Sequence, residues 1–223
     1  MSEFEMRSNS TKHKFVPATT RQWKASSQVG VERWALERNG ASMHATSIVR
    51  FAPGCGFATH LHHLSEEILV LDGVFSDESG DFRKGAYLRN PAGSSHGPYS
   101  AQGCSIFIKV WPMTPADGPR IAIDTATAAW APAGATGHSR LVLHSGGVET
   151  VVLERLAPGA EIPARPHEGG EELFVVEGRA ESAEFGALAL HDWICNPASE
   201  GAPIGSAGGA LLWAKRGHLR RSQ

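Results

Sequence analysis

Two stretches of the chain are nearly alike. Residues 50–73 read RFAPGCGFATHLHHLSEEILVLDG, and residues 155–178 read RLAPGAEIPARPHEGGEELFVVEG. The offset between them is 105 residues, and many positions are identical. The identical positions include Arg50, Pro53, Gly54, His62, Glu66 and Gly73 of the first stretch. Self-similarity at one offset is the mark of a repeat, so the two stretches are predicted to be copies of one structural unit.

The likeness continues downstream of these stretches. YLRNP at 87–91 matches WICNP at 193–197 at an offset of 106, and GCSIFIKV at 103–110 matches GGALLWAK at 208–215 at an offset of 105. The repeated segments are short, rich in β-branched and apolar residues, and bounded by glycine or proline, a pattern typical of strands. The sequence therefore predicts an all-β chain made of two tandem units.

The repeat also gives the expected domain organisation. The first copy is assigned to residues 20–115 and the second copy to residues 127–218. Residues 1–19 are polar and are expected to form an N-terminal arm, and residues 116–126 are expected to form a linker. The 25 glycines and 13 prolines in 223 residues disfavour long uninterrupted helices, which agrees with the strand pattern.

Charge and composition argue against several classes of function. The net charge is −2, so the chain lacks the general basic field that nucleic-acid binding needs. The local cluster of Lys215, Arg216, Arg220 and Arg221 is interpreted as a solvated tail. No apolar run approaches the ~18 residues of a membrane helix, and the N-terminus has no secretory signal. The three cysteines lack C-x-x-C spacing, which suits a reducing, cytoplasmic location.

The first copy carries histidines and a glutamate at regular spacing. Gly54, His60, His62, Glu66 and Gly73 follow G-x5-H-x-H-x3-E-x6-G, and Gly85, Pro91, Gly93 and His96 follow G-x5-P-x-G-x2-H. His60 and His62 are two residues apart, so on a strand both side chains face the same side. A turn then returns Glu66 to that side, and a second turn presents His96. Three imidazoles and one carboxylate suit a divalent metal and leave coordination positions free for water or substrate.

The alternative interpretation treats these four residues as hydrogen-bonded polar groups near a core. Burying so many polar groups without a metal is costly unless each finds a partner, so the metal interpretation is favoured. His63 and Glu67 each follow a candidate ligand directly and are expected to face the opposite side. Phe57 and Tyr99 flank the motifs and are candidates for the wall of a pocket. No catalytic acid, base or nucleophile stands out beyond the metal ligands, and catalytic residues stay unassigned.

The second copy keeps only half of the candidate ligand set. It retains His167 and Glu171, but Arg165 and Ala202 stand where the first copy has its first and last histidine. A guanidinium repels a divalent cation and can pair with a carboxylate, so Arg165 is expected to replace the charge of the metal and to pair with Glu171. We therefore expect one metal ion per chain and a structural second unit, which could build a homodimer interface.

The two motifs of the first copy resemble those of the cupin superfamily. Within it, residues 50–111 are similar to the cupin domain of the ChrR-type anti-ECF sigma factors, through the runs E-E-I-L-V-L-x-G-V-F-S-D-E and Y-L-R-N-P. The resemblance implies a double-stranded β-helix, or jelly-roll barrel, for each copy. With two copies, the chain is similar to a bicupin.

The resemblance also implies a zinc ion on His60, His62, Glu66 and His96, with iron, manganese and nickel as alternatives. In that family the cupin domain follows a helical domain whose H-x3-C-x2-C motif holds the sigma factor. The first cysteine here is Cys55, so this motif is absent and direct capture of a sigma factor is not expected. Two functions remain open: a zinc-holding regulatory module that senses a small molecule in the first barrel, and an Fe(II) cupin dioxygenase that acts on a small ketone or diketone.

Overall fold

The computed structural model describes residues 13–38, 44–111, 118–147, 149–197 and 201–219. The chain forms two compact units, one spanning Gln22–Ala128 and one formed by residues 13–21 together with the chain from Ala129 onward. Strand β1 (Lys14–Val16) belongs to the second unit. Apart from one short 3-10 turn at Ala18–Thr20, the described residues form strands and turns, which confirms the predicted all-β class.

The first unit, which we call the first barrel, is built mainly of antiparallel strands. Its sheet has the order β13-β9-β7-β12-β4-β3-β2, with β5, β8 and β11 attached, and β6 pairs separately with β10. These strands are β2 (Lys24–Ala25), β3 (Val31–Arg38), β4 (Ala45–Phe51), β5 (Cys55–Gly56), β6 (His60–Leu61), β7 (Ser65–Asp77), β8 (Gly80–Arg83), β9 (Ala86–Asn90), β10 (Ser95–His96), β11 (Tyr99–Ser100), β12 (Cys104–Trp111) and β13 (Ile121–Asp124).

The second unit, which we call the second barrel, repeats this plan. One sheet has the order β1-β21-β18-β23-β16-β15-β14, and the other has the order β17-β22-β19-β20. Its strands after β1 are β14 (Ala131–Pro132), β15 (His138–Gly146), β16 (Glu149–Leu156), β17 (Ala160–Ile162), β18 (Glu171–Gly178), β19 (Ala180–Ser182), β20 (Gly186–Leu188), β21 (Trp193–Asn196), β22 (Ile204–Ser206) and β23 (Ala210–Arg216).

Each barrel has an apolar core supplied by alternate residues of its long strands. In the first barrel, Val49 and Phe51 of β4 lie in one core cluster with Ile106 and Ile108 of β12. The two-residue spacing follows from the strand, in which successive side chains point to opposite faces. Burial of each such side chain contributes about 1.5–3 kcal/mol, so this period-two pattern stabilises the fold and decides which face looks inward.

A short strand from outside the repeat covers the same sheet edge in both units. In the first barrel, Ile121–Asp124 pairs with β9. In the second barrel, Lys14–Val16 pairs with β21, the equivalent of β9. The sequence assigned these strands to a linker and to an arm, yet each adds main-chain hydrogen bonds to an otherwise unpaired edge.

Close contacts of two glycines show which positions of β12 and β23 are equivalent in the two copies. Gly73 and Gly178 have φ angles of +72° and +74°, and a side chain on either would overlap the carbonyl of Gly103 or Gly209 respectively. Gly209 therefore corresponds to Gly103, and the offset in this strand is 106. The predicted offset of 105 is wrong by one residue, and a one-residue slip in a strand moves every side chain to the other face.

No helix among the described residues is long and apolar enough to cross a membrane. All three cysteines, at positions 55, 104 and 195, are free thiols.

Candidate metal centre

Short strands at one end of the first barrel bring the histidine motifs together. His60 lies on β6 and pairs directly across the ladder with His96 of β10. Glu66 is the second residue of β7. His62 follows β6, and its amide donates to Ser94 O at 2.9 Å, which extends the pairing between the two motifs. The backbone thus places all four predicted ligand residues at one site.

A tight turn locks the second motif to the first. Gly93 has a φ angle of +83°, a conformation that disfavours residues with a Cβ. Its amide donates to the carbonyl of His62 at 2.9 Å, and the amide of Ser94 donates to Pro91 O at 3.1 Å. The G-x5-P-x-G-x2-H spacing therefore encodes a turn that holds its histidine against the other two.

The four side chains converge on one point. One ligand atom from each of His60, His62, Glu66 and His96 lies within 4.8 Å of the corresponding atoms of the other three. Glu66 Oε2 is 3.6 Å from His62 Nε2 and 3.4 Å from His96 Nε2. Donor atoms that share an ion at about 2.0–2.2 Å lie roughly 3–4 Å apart, so these separations suit one small cation. Within the described residues, this is the one such group of His, Cys, Asp or Glu side chains.

Hydrogen bonds orient all three imidazoles in the same way. The Nδ1 of His60 bonds Ala58 O at 3.0 Å, and the Nδ1 of His96 bonds Asp77 Oδ2 at 3.2 Å. Both partners are acceptors, so each Nδ1 carries the proton. The Nδ1 of His62 bonds Ser94 Oγ at 3.0 Å, and that hydroxyl donates its only hydrogen to Pro91 O. His62 must then also donate from Nδ1, so in the neutral form of each ring the lone pair lies on Nε2.

These lone pairs make the donor set fit a metal ion. His62 Nε2 and His96 Nε2 are buried and have no hydrogen-bond partner. Burial lowers the pKa of His62, more than nearby Glu66 raises it, and so favours the neutral ring that binds metals. Asn90 donates to Glu66 Oε2 at 3.1 Å and holds that carboxylate in place. Partnerless lone pairs beside a fixed carboxylate are what a divalent cation would satisfy.

Sequence reasoning missed the residues that support His96. Asp77 is fully buried and receives hydrogen bonds from His96 Nδ1 and, at 2.7 Å, from Arg120 Nη2. Burial raises the pKa of Asp77, but the bonds from His96 and the Ser79 amide and the charge of Arg120 outweigh it, so the pKa is lowered. The carboxylate therefore stays ionised and fixes the His96 tautomer. Asp77 lies 19 residues from its partner, outside both spaced motifs, and nothing in the sequence pattern marked it.

Asp77→Asn should weaken metal binding by about 10–100-fold, because the amide no longer holds the proton on His96 Nδ1 and the ring is free to turn. Competition with a chromophoric chelator measures the affinity. Asp72→Asn is the matched control, since Asp72 lies on the same strand and is exposed. Equal affinities for the two variants would show that Asp77 does not position the ligand.

A small apolar cavity opens beside the candidate ligands. Its volume is about 90 Å³, and its wall includes His60, Glu66 and His96. The rest of the wall is apolar apart from Arg33: Val49, Phe51, Phe57, Ile68, Phe75, Pro98, Ile106 and Ile108. Phe57 thus lines the pocket as expected, whereas Tyr99 is 47% exposed. A wider surface groove along residues 25–32 and 50–52 contains none of the four ligands.

Arg33 is the one charged group of this cavity besides the candidate ligands. Burial, together with the charge of Arg38, lowers the pKa of its guanidinium, while Glu66 raises it. Its Nη1 donates to Ser47 Oγ at 3.3 Å. A guanidinium in this position can anchor a polar or anionic part of a small ligand, but it does not act as a proton acceptor.

The interior of the second barrel differs from the prediction. Arg165 lies 3.7 Å from Glu154 and does not hold Glu171. Arg216 takes that role: its Nε donates to Glu171 Oε1 at 2.7 Å, and its Nη1 donates to Glu154 Oε1 at 2.9 Å. His167 is 3.3 Å from Glu171, as the retained motif suggests. The expected pairing of Arg165 with Glu171 is therefore wrong, and an arginine from the last strand replaces it.

The basic cluster near the C-terminus is also not the solvated tail that its composition suggested. The Lys215 side chain is fully buried and lies 3.0 Å from Glu149. The Arg216 side chain is only 16% exposed. Arg220 and Arg221 lie outside the described residues. The cluster fails as a surface patch because its first two members belong to β23, a central strand of the second barrel.

Comparison with protein families gives two matches along the chain. Residues 11–114 and residues 119–220 each match the family model described as the ChrR cupin-like domain. Together the matches cover well over half of the chain, and the two matched regions correspond to the two copies of the repeat. No curated protein sequence matches the chain.

Solved structures share the fold at low sequence identity. A protein from Nostoc punctiforme described as a putative dioxygenase has a TM-score of 0.75 and 17% identity, over 95% of this chain and 85% of its own. A protein from Pseudomonas aeruginosa described as a putative glyoxylate-induced protein has a TM-score of 0.76 and 14% identity, over 95% of this chain and 91% of its own. A bacterial pirin from Escherichia coli, solved in complex with nickel(II), has a TM-score of 0.70 and 14% identity, over 92% of this chain and 98% of its own. Such identities show a common fold and nothing more.

Proposed function

The chain belongs to the ChrR cupin-like family, and from this membership and its candidate metal centre we propose that it is a zinc-holding regulatory module that senses a small molecule. In this proposal His60, His62, Glu66 and His96 hold one ion in the first barrel. The second barrel, whose interior is occupied by ion pairs, holds none. The signal passes to a partner protein when the ligand enters the first barrel.

The observation that carries the proposal is the make-up of the cavity wall. The wall joins three of the four candidate ligands to a phenylalanine-rich pocket, so a molecule in the pocket would reach the metal. The ion supplies an electrophilic position that a ligand oxygen or sulfur can occupy. Arg33 anchors a polar group, and the aromatic rings exclude water. Among the lining residues, only the metal ligands could move a proton, which favours binding over catalysis.

The metal itself separates this function from the enzyme alternative. We expect protein purified without added metal to contain zinc at about one ion per chain, because three imidazoles and a carboxylate suit zinc. Elemental analysis measures the content, and the His60→Ala/His96→Ala variant serves as the blank. Iron as the main metal in repeated preparations would contradict the proposal.

An Fe(II) dioxygenase acting on a small ketone or diketone is the second candidate. The apolar cavity against the ligand set favours it, and the assignment given to the Nostoc punctiforme neighbour points the same way. This function predicts oxygen uptake by Fe(II)-loaded protein with β-diketones or aromatic ketones, in excess of uptake by the loaded His60→Ala/His96→Ala variant. The sensor proposal predicts no such excess, and a shift of the melting temperature by small ligands instead.

The partner of the module is not expected to be a sigma factor captured directly. The 223 residues contain no H-x3-C-x2-C motif, the feature that holds the sigma factor in the ChrR-type proteins this chain resembles. Purified chain should therefore show no binding to an ECF sigma factor up to micromolar concentration in a calorimetric titration. Binding at micromolar affinity or tighter would overturn this part of the proposal.

A further inference from the structure

The second barrel contains a cluster of charged side chains where the first barrel has its candidate metal ligands. Three arginines, Arg140, Arg165 and Arg216, lie there with two glutamates, Glu154 and Glu171. Arg140 donates from Nε and Nη2 to Glu154, at 2.8–3.1 Å. Arg216 bridges both glutamates. The two carboxylates are therefore already neutralised by two of the arginines.

Arg165 is the remaining cation of this cluster. Its Nε and Nη2 atoms are buried, and neither has a hydrogen-bond partner. The nearest carboxylate oxygen, Glu154 Oε1, lies 3.7 Å from Nη2, which is too far for a hydrogen bond. Buried guanidinium nitrogens without acceptors are costly, so their presence points to a missing partner.

We propose that the second barrel binds a small organic carboxylate on the Nε–Nη2 edge of Arg165. This edge presents two parallel N–H groups that match the two oxygens of a carboxylate. The same barrel already contains such a pair, because Arg140 donates from its own Nε and Nη2 to the two carboxylate oxygens of Glu154. Among the described residues of the cluster, three positive charges face two negative ones, so one bound monoanion balances the site.

The surroundings of Arg165 suit an anion that enters from solvent. The Arg165 side chain as a whole is 33% exposed while its Nε and Nη2 atoms are buried, so the residue extends from the solvent-facing surface of the barrel into its interior. Gly201 packs so closely on the Arg165 backbone that a side chain there would overlap it, which fixes the residue in position. Two histidines also face the cluster. His138 bonds Glu154 at 2.7 Å, and burial lowers the pKa of His167, so that ring remains neutral at pH 7.

Ligand-observed NMR with acetate, using the full-length protein at low ionic strength, tests the proposal. Acetate should bind wild type and the His60→Ala/His96→Ala variant equally, because the first barrel is not involved. Arg165→Gln should weaken binding at least about tenfold, since a charge-assisted pair of hydrogen bonds is lost. Arg165→Lys keeps the charge without the two-nitrogen edge and should weaken binding several-fold. Arg179→Gln, at an exposed arginine of the same barrel, should bind as wild type.

Other outcomes would overturn the proposal. Unchanged acetate binding by Arg165→Gln would show that Arg165 does not bind the carboxylate. Unchanged binding by Arg165→Lys would show that the two-nitrogen edge is not needed. Loss of binding in the His60→Ala/His96→Ala variant would place the carboxylate on the first-barrel metal. An equal loss in Arg179→Gln would mean general charge attraction. Inorganic phosphate that displaces acetate at a lower concentration than acetate itself would exclude the carboxylate class. A thermal melt of each variant establishes that it is folded before binding is compared.

Discussion

Replacement of His60 and His96 by alanine should abolish metal binding and strongly lower the stability of the first barrel. The two imidazoles form a direct cross-strand pair, so the double variant removes half of the ligand set from one side of the site. An ion present at a thousand times its dissociation constant stabilises the folded state by about 4 kcal/mol. For a unit of this size the loss corresponds to a melting temperature lower by roughly 15–30 °C. Elemental analysis and scanning calorimetry measure the two effects.

His63→Ala is the control for this experiment. His63 is exposed and directly follows the ligand His62, so the variant removes an imidazole from the motif without touching the site. Metal content and melting temperature should match wild type. Chelator treatment of wild type should lower its melting temperature to that of the double variant, because both remove the same linkage between folding and binding. Unchanged metal stoichiometry in His60→Ala/His96→Ala would refute the assignment of the site.

The candidate ligand set could be read from the sequence because local geometry carries it. The ligands come from two short motifs, and the spacing of His60 and His62 within one of them reflects turn and strand periodicity alone. The two motifs then meet through a ladder contact between His60 and His96. The second copy keeps His167 and Glu171 at the spacing of His62 and Glu66, which indicates that this spacing belongs to a structural unit.

The supporting residues and edge strands could not be read in the same way. Asp77 contacts His96, and Arg120 contacts Asp77 from a separate part of the chain, and no spacing rule connects the three residues. The edge strand Lys14–Val16 has three residues, too few for a periodic pattern, and its partner Trp193–Asn196 lies near the other end of the chain. Such contacts depend on the assembled sheet, whereas the sequence reports mainly on neighbours along the chain.

The interior of the second barrel was misread because Arg216 was interpreted as part of a solvated tail, and the repeat offset of 105 did not reveal its inward position. An offset of 105 makes Arg216 equivalent to Trp111, whereas the strand register makes it equivalent to Val110, which pairs with Glu66. Since alternate residues face opposite sides, this difference moves Arg216 from the outside to the inside. The sequence predicted that Arg165 pairs with Glu171, because Arg165 stands where the first copy has His60. The structure instead gives the charge-balancing role to a residue that has no counterpart in the motif.

Arg216→Ala should therefore destabilise the second barrel by about 3 kcal/mol, because it leaves Glu171 and Glu154 buried without the cation that bridges them. For a unit of about 100 residues this lowers the melting temperature by roughly 10–20 °C. Arg165→Ala is the matched control. It removes a guanidinium that donates no hydrogen bond from Nε or Nη2, so its effect should stay within about 1 kcal/mol. Equal losses for the two variants would contradict this division of roles.

The pH dependence of the Arg216→Ala deficit tests its electrostatic origin. Burial raises the pKa of Glu154, but the hydrogen bonds from Arg140 and His138 and the charge of Arg216 outweigh it and hold the pKa below the ordinary value of 4.5. A carboxyl group with a depressed pKa stabilises the folded state above its unfolded pKa, and this contribution is lost as the pH falls through the folded pKa. Calorimetry should therefore show the full deficit of Arg216→Ala at neutral pH and a shrinking deficit below about pH 4.5, where the unfolded chain takes up the proton first. A deficit that stays constant through this range would mean that Arg216 stabilises the barrel by packing of its side chain and not by its charge.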